Sequence, residues 1–204
     1  MPYPRAMNRR PTPETDLLWQ PAPELVDWIR ATFLDSKSRL WNPEHDHLNS
    51  ALIGALWTYT PNVRKGRRVL ATAELWQPPL GSPWMRSRAT WQVHNWFRME
   101  PNFILTFDAE ACVRLDDISW CALVEHELYH CGQALNEYGC PKFKKDGTPV
   151  FWLRGHDVEE FTGVIRRYGL TAHQEDVQAL VEAAAHRPEI DAAETIAACG
   201  LCVR

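Results

Sequence analysis

The chain has 204 residues, of which 45% are hydrophobic, so it is long enough to bury one sizeable core and to carry an appended arm. The formal net charge of −4 argues against a protein built mainly to bind nucleic acid. No window approaches 18 apolar residues, and the first residues lack the apolar segment of a signal peptide. We therefore expect no membrane partner, a cytoplasmic location and reduced cysteines.

Residues 1–23 are rich in Pro and Arg and show no hydrophobic periodicity, which predicts a flexible or extended N-terminal arm. Apolar residues then recur at helical spacing and predict a helix from Pro23 to about Asp35. A second helix is predicted from Asn42 through Trp57, because four apolar residues in it share one helical face. His45 and His47 lie in its first turn. Two histidines at i, i+2 point to different faces of a helix, which is typical of capping or surface residues, although a second metal site stays open.

The next part of the chain alternates between turns and strands. Residues 58–68 form a polar, basic connection, and strict alternation predicts strands at 69–76 and 102–108. The second of these strands is a candidate for the sheet edge that pairs with an extended peptide. Residues 89–98 fit a strand or a short helix equally well.

Leu115-Asp116-Asp117 has the chemistry of a helix start, an Asp N-cap followed by an apolar-periodic run. No Pro interrupts this run until Pro141, so the sequence His126-Glu127-Leu128-Tyr129-His130 is predicted to lie in the middle of a long helix. Residues four apart share a helical face, so two imidazoles of this H-E-x-x-H motif can reach one metal ion. Glu127 is placed to take a proton from a metal-bound water.

Gly132, two residues after the motif, is small enough to let another element approach closely. Residues 139–150 are predicted to be a loop or small hairpin, and the apolar residues 151–153 follow. We expect one further helix from about Val158 to Tyr168 and a last one from about 174 to 186. The predicted organisation is thus an arm at 1–23, one domain at 24–190 and a tail at 191–204.

A hydrolytic zinc site needs a third protein ligand and one open position. Four residues are candidates for the third ligand: His156, Glu159, Glu160 and His173. His156 is preferred because it lies 26 residues after His130, which lets the helix end and the chain return. Glu160 is the alternative, and on the same helix face as His156 it could instead accept a hydrogen bond from an imidazole.

The H-E-x-x-H motif, followed by Leu153-Arg154-Gly155-His156-Asp157-Val158, resembles a family of phage metallopeptidases. That family is similar to the SprT-like zinc proteases, and the resemblance covers roughly residues 24–170. It implies an α+β, zincin-like domain, in which a small sheet packs on the active-site helix and a second helix carries the third His. A phage origin would place the protein in the host cytoplasm. SprT-like proteases often add a zinc module, but Cys199 and Cys202 cannot complete a tetrahedral site alone.

The function expected from these residues is zinc-dependent hydrolysis of peptide bonds in a protein or peptide substrate. Zn²⁺ held by His126, His130 and His156 would lower the pKa of water, and Glu127 would act as the general base. Side chains that could polarise the substrate carbonyl are Tyr129, Tyr138, Tyr168 and Arg154.

Two other functions stay open at this point. One is a non-proteolytic phage protein that binds zinc as a structural element. The other is a DNA-associated protease like the SprT relatives, for which the basic residues 64–68 are the support and the acidic net charge is the counter-argument. The sequence indicates neither the cleavage specificity nor the oligomeric state.

Overall fold

The computed structural model describes residues 10–14, 17–158 and 175–190. The chain is an α+β protein, as the sequence predicts. In the described residues the α-helices are α1 (Pro23–Ile29), α2 (Pro83–Phe97), α3 (Ala109–Val113), α4 (Asp117–His130) and α5 (Glu175–Ala185). The strands are β1 (Trp19–Pro21), β2 (Ile53–Thr58), β3 (Val63–Arg64), β4 (Arg67–Arg68), β5 (Ala71–Leu75), β6 (Phe103–Asp108), β7 (Cys131–Gln133) and β8 (Phe151–Leu153).

Helix α1 begins at Pro23, which suits a first helical turn because proline has no backbone N–H to leave unpaired. The apolar residues that set its periodicity are buried against the core. A π-helical turn, Arg30–Leu34, continues the helix, which stops at Asp35. The predicted helix from Pro23 to about Asp35 is confirmed.

The segment predicted as a second helix, Asn42 to Trp57, is not one helix. Pro43–Ser50 forms a 3₁₀ helix whose Asn42 cap accepts a hydrogen bond from the N–H of Glu44, and β2 follows. All six residues of β2 are buried. When a short strand is buried on both faces, nearly all of its residues are apolar, and it shows no alternation of apolar and polar residues. Its sequence therefore fits a helix as well as a strand.

In the described part of the chain, four strands form one sheet in the order β1-β2-β6-β5. Strands β2 and β6 are parallel, whereas β1 pairs antiparallel with β2 and β5 pairs antiparallel with β6. The strands predicted at 69–76 and 102–108 are confirmed as β5 and β6. The prediction that 102–108 is a sheet edge is wrong, because β6 lies between two strands and β5 forms that edge.

One side of the sheet, here called the inner face, packs against α1 and α4 and forms most of the hydrophobic core. Its central rows pair Ile53 with Phe103, Ala55 with Leu105 and Trp57 with Phe107. Trp120 of α4 packs on the last row, with ring centroids 5.6 Å from Trp57 and 5.2 Å from Phe107. The inner face therefore fixes the position of α4 on the sheet.

The opposite side, the outer face, is covered in part by α2. Helix α2 begins after Ser82, whose hydroxyl accepts a hydrogen bond from the N–H of Met85. The segment 89–98, whose sequence fits a strand or a short helix, is helical as far as Phe97. Near the end of α2, Val93 packs on Leu56 and Ile104 in a small apolar cluster. Gly54 admits the Phe97 ring, since a Cβ at this position would lie 2.8 Å from ring atoms.

Helix α4 begins as predicted, because the Asp116 side chain accepts a hydrogen bond from the N–H of Ser119 at 2.8 Å. Its end differs from the prediction. The helix stops at His130, so the H-E-x-x-H motif occupies its last turns rather than its middle. Cys131 leaves the helical region of backbone dihedral angles and starts β7. The helix ends without Pro, because the chain enters β7 there and Gly132, just past the C-cap Cys131, occupies a position where glycine commonly ends helices.

Strands β7 and β8 form an antiparallel hairpin that returns the chain to the end of α4. Bridges between Leu135 and Pro141 and between Phe143 and Pro149 close two smaller turns within the connection, and the second lies in the segment 139–150, where a loop or small hairpin is predicted. The close approach predicted at Gly132 is also confirmed, because a Cβ there would lie 2.6 Å from the indole nitrogen of Trp152.

The described part of the predicted arm contacts the domain. Trp19–Pro21 forms β1, and Arg10 is buried under α3 and α4. The Arg10 guanidinium donates hydrogen bonds to the carbonyls of Leu115 and Cys112 and lies 4.7 Å from the Trp120 ring centroid. The predicted domain boundaries themselves stay a prediction.

The last predicted helix is confirmed as α5. The helix predicted from Val158 to Tyr168 and the tail at 191–204 lie outside the described residues. Within the described ranges, none of the helices is both long and apolar enough to cross a bilayer.

Candidate metal centre

Three histidines converge at the end of α4. His126 and His130 lie one turn apart on the helix, and His156 reaches them from the loop after β8. The Nε2 atom of His126 lies 3.2 Å from Nε2 of His130 and 3.2 Å from Nε2 of His156. Among the described residues these three form a cluster whose donor atoms all lie within 4.8 Å of one another.

These distances suit a tetrahedral zinc ion. Zn–N bonds of about 2.0–2.1 Å at tetrahedral angles separate neighbouring nitrogens by about 3.3 Å. The two His126 distances of 3.2 Å are close to this value. Three imidazoles also leave one of four coordination positions for a water or a substrate atom.

Hydrogen bonds to the loop after β8 orient His130. Its Nδ1–H donates to the carbonyl of Arg154 at 2.7 Å, and the Arg154 N–H donates to the His130 carbonyl at 2.8 Å. Because a carbonyl only accepts, Nδ1 carries the proton and the lone pair lies on Nε2, the atom that faces the other two rings. The same two bonds fix the backbone of Arg154, which lies two residues before His156.

The electrostatics of the cluster favour neutral imidazoles. Burial lowers the pKa of His126, and the positive charges that His130 and His156 can carry lower it further. A neutral imidazole is the form that binds a metal ion, so the folded environment favours the ligand state.

Glu127 lies between the two helical histidines in sequence and is 4% exposed. Burial raises the pKa of its carboxyl, while His130 and a hydrogen bond from the Ala73 backbone act in the opposite direction. Glu127 and His126 line a cavity of about 470 Å³ between α4 and the start of β5. The carboxyl therefore faces a space beside the histidines, next to the edge strand of the sheet.

A smaller cavity of about 170 Å³ opens directly over the histidines, with Tyr129 and Arg154 in its lining. Arg154 is held by an ion pair with Asp157 at 2.5 Å and lies 5.8 Å from the Tyr129 ring centroid. Two of the four predicted carbonyl-polarising candidates are thus at the centre. Tyr138 lines neither of these cavities, and Tyr168 lies outside the described residues.

The structure adds a polar network that the sequence analysis missed. The Asn42 side-chain amide donates to the Glu125 carboxylate and to the Tyr129 hydroxyl, both at 2.9 Å. His45 packs edge-on against Tyr129, with ring centroids 4.6 Å apart. Asn42 and Glu125 are 83 residues apart, and no short-range pattern could have indicated their contact.

His45 is 1% exposed, so the prediction that it is a cap or surface residue is wrong. It fills the space beside Tyr129 instead. The ring nitrogens of His47 lie 3.0 Å from the Glu44 carbonyl and 2.6 Å from the Cys131 carbonyl. In the described ranges, neither histidine belongs to a group that could hold a metal ion.

The remaining candidates fall into two groups. Glu159, Glu160, His173, Cys199 and Cys202 lie outside the described residues. Within the described ranges no two cysteines form a disulfide, and burial raises the pKa of Cys112 to about 12 and also raises that of Cys131. The thiols of Cys112 and Cys131 are thus held in the protonated form.

Comparison with curated proteins and with solved structures gave no significant match. A protein-family model described as "Putative phage metallopeptidase" matches residues 26–185. This range contains all three histidines and Glu127, and it covers most of the chain. The chain therefore belongs to the phage metallopeptidase family.

Proposed function

We propose that the protein is a zinc-dependent metallopeptidase. In this proposal His126, His130 and His156 hold Zn²⁺, and Glu127 is the general base. The observation that supports it best is the convergence of the three Nε2 atoms beside a buried carboxyl, with an open cavity over them. The family description, which names a metal-dependent peptidase, agrees with this chemistry.

The donor set supports zinc in particular. Three neutral nitrogens with a fourth position open are the ligands of many catalytic zinc sites, whereas Mg²⁺ and Ca²⁺ prefer carboxylate and carbonyl oxygens. When bound, the ion supplies a Lewis acid that polarises the scissile carbonyl and lowers the pKa of water toward about 7.

The chain's own residues supply the proton transfers and the orientation. Glu127 accepts a proton from the attacking water and delivers it to the leaving amine. Tyr129 lines the cavity over the histidines, where its O–H would donate to a developing oxyanion.

We further propose that a peptide substrate lies extended along β5. This strand is the sheet edge nearest Glu127, and an extended peptide can add to such an edge through backbone hydrogen bonds. Leu70 and Ala71 line the cavity that also contains Glu127 and His126, so a substrate side chain would pass next to the reacting groups.

The test combines metal analysis with cleavage of a diverse peptide library. Wild-type protein should contain about one zinc per chain and cleave peptides. Glu127→Gln should keep the zinc and lose activity by about a hundredfold to ten-thousandfold, since a general base contributes that much. Glu137→Gln, an exposed carboxylate in the hairpin, is the matched control and should behave as wild type.

The third ligand needs its own variant. His156→Ala should lower the zinc content well below one per chain, whereas His94→Ala, on exposed α2, should not. Full zinc occupancy in His156→Ala would show that another residue is the third ligand, and Glu160→Ala would then be tested. Zinc-loaded wild-type protein that cleaves no peptide would replace the peptidase proposal with the non-proteolytic one.

A further inference from the structure

A second cavity lies on the outer face of the sheet, on the opposite side from α4. Its volume is about 470 Å³, in the range of small-molecule sites. The floor is made by β2, β6 and β5, and one wall is the α2 surface that carries Ala89, Gln92 and Val93. Residues 60–64 and Trp19 of β1 close the other side.

The cavity exists because α2 covers only one half of the outer face. Where α2 makes contact, the sheet presents Leu56, Ile104 and Gly54, which pack on Val93 and Phe97. Beyond that contact the strands present hydroxyls instead. Thr72 and Thr106 are opposite each other on β5 and β6, and Thr58 follows on β2. A polar floor of this kind is suited to a ligand or to water rather than to core packing.

Glu74 is the group on this floor that distinguishes the cavity chemically. Its side chain is open to solvent, yet protein packed around it raises the pKa of the carboxyl by desolvation. In the described residues no cationic side chain forms an ion pair with it. The other carboxylate of the cavity, Asp108, accepts bonds of 2.6 and 2.9 Å from Arg68, so Glu74 alone lacks a partner among the described cations.

The lining of the cavity also includes a cation, Arg64. Arg64 lines the opposite end, beside the contact in which the Val69 N–H donates to the Asn62 carbonyl. Leu70, next to that contact, is four residues before Glu74 along the strand, a distance of about 13 Å at the usual rise per residue. Within the described structure, neither Arg64 nor Arg68 forms an ion pair with Glu74.

Aromatic rings form much of the remaining lining. Trp19 and Trp96 stack with ring centroids 6.2 Å apart and an interplanar angle of 22°. Trp76 follows Glu74 by two residues on the same side of β5, and its indole N–H has no hydrogen-bond partner within the described structure. Indole faces attract cations, and carboxylates do so at longer range.

We propose that this outer-face cavity binds a small organic cation with an alkylammonium group, held by Glu74 and the indole rings of Trp76 and Trp96. The charge of the ligand would offset that of Glu74, and its alkyl carbons would cover the indole surface. The Glu74 end of the site lies on the outer face of the sheet and Glu127 on the inner face, although both cavities share Leu70 and Ala71 at the start of β5. The site requires neither zinc nor peptidase activity.

The test is calorimetric titration of the full chain with choline and with its neutral isostere, 3,3-dimethylbutan-1-ol. Choline should bind at one site per chain and at least about tenfold more tightly than the isostere, as a desolvated cation–aromatic contact predicts. Glu74→Gln should weaken choline binding by about tenfold and leave binding of the isostere unchanged. Glu100→Gln, a carboxylate outside this cavity, is the matched control and should bind choline as wild type does.

Trp96→Leu should weaken both probes if they occupy the aromatic part of the cavity. Circular dichroism and the melting temperature of each variant establish that it folds. Equal affinity for the two probes, unchanged choline binding in Glu74→Gln, or no saturable binding of choline at about 10 mM would each overturn the proposal, since even weak ligand sites bind in the millimolar range.

Discussion

The two faces of the central sheet are built from the same strands but have opposite character. On the inner face, Trp57, Phe103 and Phe107 are at most 1% exposed and pack against α1 and α4. On the outer face, Thr58, Thr72 and Thr106 line a cavity that α2 leaves uncovered. The difference shows which side of the sheet must hold side chains at fixed positions. The closed face holds the helix that carries His126 and His130, whereas the open face leaves room for a ligand.

The largest effect is expected on the inner face. Trp57→Ala should lower the free energy of unfolding by about 3 to 5 kcal/mol, because it leaves a cavity beneath Trp120. Chemical denaturation measures the loss. Zinc affinity should fall in the same variant, since α4 loses its support.

The matched control for this variant is Trp84→Ala, since Trp84 is 89% exposed and should contribute almost nothing. If Trp57→Ala and Trp84→Ala were equally stable, the contrast between the closed and open faces would be wrong.

The covered half of the outer face should be the next most sensitive place. Gly54→Ala should cost about 1 to 3 kcal/mol, because the added Cβ would lie 2.8 Å from the Phe97 ring. Zinc content should not change, as the clash is on the side away from α4. The double variant Gly54→Ala with Phe97→Leu should recover part of the loss. Additive losses would show that the ring contact is not the cause.

Asp108 is the last residue of β6 and the N-cap of α3. Its replacement should have an effect on stability between those of Gly54→Ala and Thr106→Val. Its carboxylate binds Arg68 and also accepts the N–H of Ala111 at 2.9 Å as the N-cap of α3. Asp108→Ala should lower the melting temperature in proportion to a loss of about 1 to 2 kcal/mol. Asp108→Asn keeps the cap and should lose less. An equal loss in both variants would assign the whole effect to the ion pair.

The smallest effect is expected in the open half of the outer face. Thr106→Val replaces a cavity-lining hydroxyl with a methyl group of similar size and should change stability by no more than about 0.5 kcal/mol. Thermal denaturation with Thr106→Ser as a companion measures it. A loss above about 1 kcal/mol would mean that the hydroxyl has a buried partner and that this part of the cavity is not open.

Parts of the fold that follow from local chemistry could be predicted from the sequence. The Pro23 start of α1, the Asp116 cap of α4 and the alternation in β5 and β6 all act within a few residues. The failures came from longer-range effects. Strand β2 is buried on both faces, so its spacing carried no strand period, and α4 ends where β7 begins to pair with β8.

The candidate site shows the same division. The spacing of His126 and His130 places them on one helical face, and the position of His156 after a returning segment was enough to nominate it. The contact of Asn42 with Tyr129 and the burial of His45 depend on the path of the 3₁₀ segment across the end of α4. No periodicity within either segment encodes that crossing.

The hairpin of β7 and β8 lowers the entropy cost of bringing His156 to the two histidines of α4. Joining residues 26 apart, such as His130 and His156, would cost a flexible chain about 3.5 kcal/mol in loop closure. Here the β7–β8 ladder and the paired bonds between His130 and Arg154 close that loop without a metal ion. The protein should therefore keep its circular dichroism spectrum after chelation, unlike small zinc domains whose folding depends on the ion. Zinc would then enter a scaffold that is already folded, and removing it would abolish the chemistry without unfolding the chain.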